Sequence, residues 1–376
     1  MDLSAEFPLR EDIVYLNHAA VAPWPRRTAE AVRRFADENL TQGAQRYADW
    51  LRVELRLREQ LQALLNAGTS DDIALLKNTS EALSLVAFGL EWRPGDNVVA
   101  SNQEFPSNRI VWQALASQGV SLREADLADA GTPEEALFRE VDEQTRLITV
   151  SSVQYATGLR MDLARIGAFC RAHDILLCVD AIQSLGALEM DVRALGIDFL
   201  MADGHKWLLG PEGLAVFYCN PRLRESLQLR EYGWHMVAQA GDFEAREWRP
   251  AASARRFECG SPNMLGIHAL SASLSLLLEL GIPNVSAAVL ENARYLFDLL
   301  DETGKIRFLT PRGPERHAGI VTFRPLAGDV QALQRALSLA GVICAQRGDG
   351  IRFSPHFYLS RSQLERAVTL TAHLLA

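Results

Sequence analysis

The sequence predicts an α/β protein with a large domain, in which a mainly parallel sheet lies between helices, and a smaller α+β C-terminal domain. Short apolar segments alternate with helical segments between residues 70 and 220, which is typical of βαβ units. The segment Ile175–Ala181 is apolar almost throughout, as expected for a strand buried on both faces. After Asn263 the pattern becomes mainly helical and ends in a few short strands. The predicted units are an N-terminal arm (1–15), a large domain (16–250) and a small domain (251–376).

The elements of the large domain follow from apolar runs and helix caps. Asn78 or Thr79 is placed to cap one helix, and Asp162 another, because their side chains can accept hydrogen bonds from free backbone N–H groups. We expect helices at Ser80–Leu90, after Pro106 and at Asp162–Ala172. We expect strands at Ile73–Lys77, Asn97–Ser101, Leu147–Val153, Ile175–Ala181, Phe199–Asp203 and Leu214–Tyr218.

The pattern changes after residue 220. Residues 221–256 are rich in Arg, Trp, Glu and Gly and show little periodicity, so we expect an irregular surface or interface segment. Two helical stretches follow from Asn263 onward. The predicted elements beyond them are strands around Gly319–Phe323, Val342–Ile343 and Gly350–Ser354 and a helix at Ser362–Leu375.

Composition excludes several classes of protein. The chain has 376 residues, 48% hydrophobic and 23% charged, which is ordinary for a globular protein and not for collagen, a disordered tail or a disulfide scaffold. A net charge of −9 argues against binding to nucleic acid or to an anionic membrane. The five cysteines form no CxxC pair and the eight histidines do not cluster, so we expect reduced, buried thiols and no metal site. Without an apolar leader or an 18-residue apolar run, we expect a cytoplasmic protein.

Lysine is rare in this chain. Of the 38 Lys and Arg residues only Lys77, Lys206 and Lys305 are lysines. Lys206 follows a predicted strand and precedes Trp-Leu-Leu and a Gly-Pro turn, where apolar neighbours would desolvate an amine and lower its pKa. A desolvated amine can attack a carbonyl, as Schiff-base chemistry with an aldehyde cofactor requires. The alternative is a lysine in a surface loop; we expect Lys305 in a surface turn and Lys77 on a solvated face or at a phosphate.

Other polar residues fit such a cofactor. Asp180 ends an apolar strand, where it could cap a helix, form a salt bridge, or pair with the pyridinium nitrogen of pyridoxal phosphate. Gln183 could donate to the phenolic oxygen of that ring. Thr79 and Ser80 stand at a helix N-terminus, which either is simply capped or binds a phosphate.

In this arrangement the sequence resembles the class V aminotransferase branch of fold-type I pyridoxal-phosphate enzymes. The most specific blocks are VDAIQSLGALEMDV, DGHKWLLGPEGLAVFYC and RRFECGSPN, and the resemblance runs from YLNHAAVAP to IRFSPHFYLSRSQLE. It implies that Lys206 forms the Schiff base with pyridoxal 5'-phosphate, that Asp180 pairs with the ring nitrogen and that Gln183 contacts the phenolic oxygen. It further implies phosphate binding by Thr79, Ser80, His205 and, across a homodimer with shared active sites, Ser261. Arg352 would bind the carboxylate of an amino-acid substrate, next to Asn17 and His18.

Departures from the family pattern bear on the reaction. Phe105 stands where cysteine desulfurases have a histidine that stacks on the cofactor, and Phe can stack but cannot move protons. Tyr155 replaces a usual Asn, and Asp203 a usual small hydroxyl residue. Cys344 precedes Arg352 too closely to lie on the long loop that carries the persulfide acceptor, so we expect a buried or pocket-lining thiol.

The resemblance implies C–S cleavage of the cysteine desulfurase or selenocysteine lyase type. An aminotransferase, an epimerase and a kynureninase-like hydrolase are the enzymatic alternatives. A catalytically inactive regulatory relative is the non-enzymatic one.

Overall fold

A seven-stranded sheet organises the first part of the chain, and a four-stranded sheet the last. A computed structural model describes residues 3–375, so residues 1 and 2 of the predicted arm and residue 376 of the predicted small domain lie outside the described residues. The strands are β1 (Val14–Tyr15), β2 (Ile73–Leu76), β3 (Asn97–Ser101), β4 (Ser121–Ala125), β5 (Thr145–Ser151), β6 (Leu176–Asp180), β7 (Phe199–Asp203), β8 (Ala215–Cys219), β9 (Ile306–Phe308), β10 (Val321–Pro325), β11 (Val342–Ile343), β12 (Ala345–Arg347) and β13 (Gly350–Phe353).

Helices cover the faces of the large sheet and pack around the small one. Helix α7 packs against both α1 and α2, and α8 packs against α10. The helices are α1 (Arg26–Gln42), α2 (Tyr47–Leu65), α3 (Thr79–Gly89), α4 (Ser107–Gln113), α5 (Pro133–Arg139), α6 (Leu163–Ala172), α7 (Met264–Leu280), α8 (Ile282–Asp301), α9 (Val330–Leu339) and α10 (Arg361–Leu374).

The large sheet has the order β2-β8-β7-β6-β5-β3-β4. Its pairs are parallel except around β8, which runs antiparallel to both neighbours. The expected mainly parallel α/β architecture is therefore confirmed. Strand β6 is central, and its side chains are almost wholly buried, in keeping with its apolar sequence. The register pairs Ser151 with Asp180 and Asp180 with Met201, so the carboxyl ends of β5, β6 and β7 meet at one edge.

The small sheet has the order β12-β13-β10-β9 and is antiparallel. Arg352 in β13 lies opposite Thr322 on one side and Ala345 on the other. The N-terminal segment joins this part of the molecule, since β1 pairs with β11 and a bridge links Asn17 to Ser354. The chain thereby brings residues near its two ends together.

Several elements were not expected from the sequence: helices α1, α2, α5 and α9 and strands β1, β4, β9 and β12. In α2 the buried face carries Glu54 and Arg58 among its leucines, which interrupts the apolar stripe that signals a helix. The segment 221–256 contains turns, one bridge from Val237 to Pro250 and a short 3₁₀ turn, so its irregular character is confirmed. The boundary between domains near residue 250 stays a prediction.

Two expectations about thiols and membrane spans can be compared with the structure. All five cysteines are free, and four are buried, whereas Cys259 is half-buried. No single described helix is both long and apolar enough to cross a membrane. Only α7 and α8 taken together, bent by 86°, meet that criterion by length and composition.

A buried ion cluster joins α2 to the segment before α7. Arg58 donates to Glu54 and, through two nitrogens at 2.6 and 2.7 Å, to Glu258. Glu258 also accepts the Leu75 N–H of β2. Glu54, Glu258 and buried His235 lie close enough to share a metal ion, although the sequence predicted no metal site. The guanidinium of Arg58 bonds to both carboxylates, so the cluster has a cation of its own.

We predict that Glu258→Ala destabilises the fold by about 3–5 kcal/mol, because it leaves part of a buried guanidinium and the Leu75 N–H without an acceptor. Glu279→Ala, which removes an exposed partner of Arg27, is the control and should change the free energy of unfolding by less than about 1 kcal/mol. Urea unfolding monitored by circular dichroism measures both. Equal effects of the two substitutions would contradict a structural role for the cluster.

Candidate active site

Lys206 lies in the turn that follows β7. The turn is closed by the Gly210 N–H, which donates to the Gly204 carbonyl, and by Leu209, which has a positive φ of 60°. The Lys206 side chain is half-buried, and burial lowers the pKa of its amine from 10.5 to about 8. The carboxylate of Asp180 opposes this shift, and Arg352 adds to it. The amine is therefore deprotonated far more easily than that of an exposed lysine.

Asp180 ends β6 and is fully enclosed. Its Oδ1 accepts the Ile182 N–H at 3.0 Å. Burial raises the pKa of this carboxyl to about 7, although the Ile182 N–H and the charge of Lys206 lower it. The strand register fixes the location of Asp180, and its environment makes its charge costly without a cationic partner.

Gln183 is held from two sides three residues after Asp180. Its Nε2 donates to the Ala19 carbonyl at 3.0 Å, and its Oε1 accepts the indole N–H of Trp207 at 3.1 Å. The structure thus connects the predicted cofactor residue Gln183 to the residue that follows Lys206. The Nε2 group has two hydrogens, and the one that does not bond to Ala19 is available to another acceptor.

The N-terminus of α3 offers hydrogen-bond donors. Asn78 caps the helix, since its side chain accepts the Glu81 N–H at 2.9 Å. The hydroxyl of Thr79 is buried and has no hydrogen-bond partner, while the exposed Ser80 donates to Ser107. The first N–H groups of a helix also have no partner within the helix. This end of α3 can bind an anion such as a phosphate.

His205 precedes Lys206 and lies beside Asp203. The His205 Nδ1 and an Asp203 oxygen are 2.9 Å apart, but their orientation does not form a hydrogen bond, and both atoms are buried. Asp203 stands where the family pattern usually has a small hydroxyl residue, and its carboxylate lies next to this imidazole. Whether His205 binds a phosphate stays a prediction.

Arg352 is a buried cation with free donors. Its Nη1 donates to the Tyr155 carbonyl at 2.7 Å, whereas its Nε and Nη2 have no hydrogen-bond partner. Burial lowers the pKa of the guanidinium, and the nearby charge of Arg347 adds to this effect. A buried guanidinium without an acidic partner is costly. Two adjacent free donors match the fork geometry that a carboxylate satisfies.

Phe105 borders the amine, and Tyr155 contacts Phe105. The Lys206 Nζ lies 5.7 Å from the centre of the Phe105 ring. Phe105 is exposed and contacts Tyr155 edge-on, with ring centres 5.2 Å apart. The structure therefore brings these predicted site residues together, with an aromatic face available for stacking.

Asn17 and His18 lie on the segment that crosses from the N-terminus to the small sheet. The Asn17 Oδ1 is buried and has no hydrogen-bond partner. His18 bonds to the Ser354 carbonyl at 2.7 Å and to the Tyr358 hydroxyl at 2.6 Å, and burial lowers its pKa to about 4. His18 is thus a neutral structural group near the site.

Three further residues near the site were not expected from the sequence. Glu104 is buried and accepts hydrogen bonds from Ser101, Asn108, Ser151 and Gln154. The Gln154 Oε1 is buried and has no partner. Arg347 lies in the same hairpin as Arg352 and lowers the pKa of both Lys206 and Arg352. The only sequence signal for Glu104 was its position before Phe105.

Ser261 and the other two lysines lie apart from this group. Ser261 is exposed and lines a cleft of about 270 Å³ that also includes Lys77, Glu81 and Gly213. Lys77 is exposed and pairs with Glu81, as expected for a solvated face. Lys305 lies in the predicted turn, but it is half-buried and donates to the Ala372 carbonyl.

Residues 14–366 match the family model "Aminotransferase class-V". The chain belongs to this family. A probable cysteine desulfurase of Methanothermobacter thermautotrophicus is 34% identical over 359 residues, covering 92% of this chain and 86% of the relative.

Two solved structures of C-DES show the same fold. The one with glycine covalently linked to the cofactor pyridoxal phosphate is 23% identical, has a TM-score of 0.91 and covers 98% of each chain. The other, the cystine C–S lyase with its product cysteine persulfide, is 23% identical, has a TM-score of 0.90 and covers 97% and 99% of the two chains.

The family membership confirms the expected fold-type I architecture and a pyridoxal-phosphate-dependent enzyme. The side chains also fit this cofactor. The site combines a desolvated amine, a buried carboxyl, an unpartnered hydroxyl at a helix N-terminus and a guanidinium with free donors. An aldehyde, a pyridine nitrogen, a phosphate and a substrate carboxylate are the groups that would satisfy them.

We predict that Asp180→Asn stabilises the cofactor-free protein, and more at pH 8 than at pH 4. The folded-state pKa of Asp180, about 7, lies above its ordinary value of 3.8. Between these values the folded state keeps a proton that the unfolded state has lost, so stability falls as pH rises through this range. Asn does not titrate and avoids this cost. Urea unfolding at both pH values tests the prediction, with the exposed Asp349→Asn as control; an effect independent of pH would contradict it.

Proposed function

We propose that the enzyme cleaves the C–S bond of a cysteine-type amino acid. The observation that carries this proposal is the convergence of three side chains: the half-buried Lys206 amine, the buried Asp180 carboxyl and the unpartnered Arg352 guanidinium. The relative from Methanothermobacter thermautotrophicus, named a probable cysteine desulfurase, supports sulfur amino acids as the substrate class. The likeness to C-DES, at 23% identity, supports the fold only.

Each residue has a distinct task. Bound pyridoxal phosphate supplies an aldehyde for amines and a ring that takes up electrons. Lys206 would hold the cofactor and, once displaced by substrate, accept the proton from the substrate Cα at its Nζ. Asp180 would keep the proton on the ring nitrogen by pairing with it, since its own burial disfavours an isolated carboxylate. Thr79, Ser80 and His205 would bind the phosphate, and Gln183 the phenolic oxygen.

Substrate orientation comes from the other sheet. The free Nε and Nη2 groups of Arg352 would donate two parallel hydrogen bonds to the substrate carboxylate, with Asn17 beside it and Tyr155 behind it. Phe105 would stack on the cofactor and, because it has no titratable group, would leave proton movement to Lys206. This division explains how the site works without the family histidine.

The fate of sulfur depends on whether a cysteine could accept it, and Cys344 is the one that precedes Arg352. Cys344 lies between β11 and β12. It is buried, and burial raises the pKa of its thiol to about 12. We infer that the C–S electron pair leaves with sulfur as a free anion while the Cα proton goes to Lys206. Water then converts the three-carbon fragment to pyruvate and ammonia. Cysteine and water thereby yield pyruvate, ammonia and sulfide.

We also infer a cytoplasmic homodimer with shared active sites. Ser261 is exposed, as a residue that serves a partner's phosphate would be. Exposed aromatic side chains cluster in the irregular segment around a cavity of about 430 Å³: Tyr232, Trp234, Phe243 and Trp248. Burial of such a patch in an interface is favourable. Free cysteines suit a reducing compartment.

We predict that Lys206→Ala abolishes the absorbance near roughly 420 nm of the cofactor-loaded protein and reduces turnover by about 10²–10⁴-fold, since no other amine replaces it. Lys77→Ala and Lys305→Ala are matched controls and should keep both properties. Absorption spectra and release of sulfide from L-cysteine measure the outcome. A Lys206→Ala protein that retains the band would exclude the proposed chemistry.

We predict that Cys344→Ala keeps turnover within about twofold, because its thiol carries essentially no thiolate at neutral pH. Cys259→Ala, which removes the half-buried thiol, is the comparison. Pyruvate and alanine are measured together with sulfide from L-cysteine. Loss of activity in Cys344→Ala, with alanine as the main product and a persulfide on the wild-type protein, would instead establish transfer of sulfur to Cys344.

A further inference from the structure

The orientation of the Gln183 amide depends on two neighbours with opposite hydrogen-bonding character. An indole N–H can only donate, and a backbone carbonyl can only accept. Trp207 therefore requires the Gln183 oxygen, and Ala19 requires the Gln183 nitrogen. Together they exclude the flipped amide and aim one remaining N–H of Nε2 away from both partners.

Trp207 occupies a slot that two glycines leave open. A Cβ at Gly186, which has a positive φ of 94°, would lie 2.4 Å from the Trp207 carbonyl oxygen. A Cβ at Gly319 would lie 2.3 Å from the Trp207 ring. The indole is fully buried in this slot. The backbone and the ring of Trp207 are thus held in place, one residue after Lys206.

His356 completes the arrangement from the small-sheet side. Its Nε2 donates to the Trp207 carbonyl at 3.1 Å, and its Nδ1 accepts the Phe357 N–H at 2.9 Å. These bonds require the neutral tautomer with the proton on Nε2. Asn292 in turn donates to the His356 carbonyl. The loop after β13, which carries Arg352, therefore reaches the backbone next to Lys206.

We propose that Trp207 and His356 are positioning residues that fix the Gln183 amide, so that its free N–H meets the phenolic oxygen of the bound pyridoxal ring. This inference rests on the cofactor placement in the proposed function. His356 acts through the Trp207 backbone, and Trp207 acts through Gln183. Neither side chain touches the reacting atoms.

The test is a pH titration of the absorption spectrum of the cofactor-loaded enzyme. The midpoint of this titration is the pH at which the chromophore that Lys206 forms with the cofactor is half deprotonated. The phenolic oxygen is more negative in the deprotonated form, so a hydrogen-bond donor to this oxygen favours that form and lowers the midpoint. Trp207→Phe keeps an aromatic ring but removes the N–H, so only the Ala19 carbonyl still holds the Gln183 amide and its free N–H is less firmly directed. We expect the midpoint to rise by about one pH unit, the size of one hydrogen bond to a charged group.

Trp50→Phe is the matched control, because it also removes a buried indole N–H. This N–H belongs to α2 and bonds to Glu38 in α1. It should lower thermal stability to a similar degree and leave the midpoint unchanged. An unchanged midpoint in cofactor-loaded Trp207→Phe would overturn the inference. So would an equal shift in Trp50→Phe.

If Trp207→Phe does not fold, two substitutions of His356 test the inference instead. His356→Gln keeps a side-chain N–H able to reach the Trp207 carbonyl and should behave as wild type, whereas His356→Leu should raise the midpoint. Equal midpoints for the two variants would overturn the inference. A wild-type enzyme without any Lys206-dependent band would overturn the proposed function as well, so the two failures are distinguishable.

Discussion

The site depends on one interaction: an amine and a carboxyl desolvated side by side. Lys206 follows β7 and Asp180 ends β6, and these strands are parallel neighbours, so the backbone register brings both groups to one edge of the sheet. Burial favours the neutral form of each, and each charge favours the other's charged form. Burial thus brings the pKa values of both groups close to neutral pH, which is typical of groups in active sites.

The second component comes from a separate sheet. Arg352 belongs to the small antiparallel sheet, yet its Nη1 bonds to the Tyr155 carbonyl, just beyond β5 of the large one. The N-terminal segment seals this junction through Ser354, which bonds to the backbone at Leu16 and Ala19. Binding of a substrate carboxylate would therefore satisfy a cation that the fold leaves unpaired. In the proposed function, this cation recognises the carboxylate of the substrate.

Sequence alone was sufficient where a local motif determines the geometry. Asp180 ends a strand of evident apolar character and Lys206 follows another, so their location in the fold could be predicted, while their roles stay predictions. Helix α2 could not, because its inner face buries Glu54 and Arg58, and Arg58 also pairs with Glu258, which lies 200 positions away. The same holds for Gln154 and for the Trp207 contact with Gln183: hydrogen bonds between distant segments leave no periodic signal. The proposed role of Ser261 would depend on a second chain, and one sequence carries no geometry for that.

The low number of lysines makes the central claim directly measurable. Only Lys77, Lys206 and Lys305 would give lysine signals in a ¹³C NMR titration of the reductively methylated, cofactor-free protein, and Lys206→Arg would assign the signal of Lys206. Pairing with Glu81 raises the pKa of Lys77 above its ordinary value, which provides an internal reference. Burial opposite Asp180 predicts a pKa of about 8 for Lys206. A midpoint near the ordinary 10.5 would contradict the account.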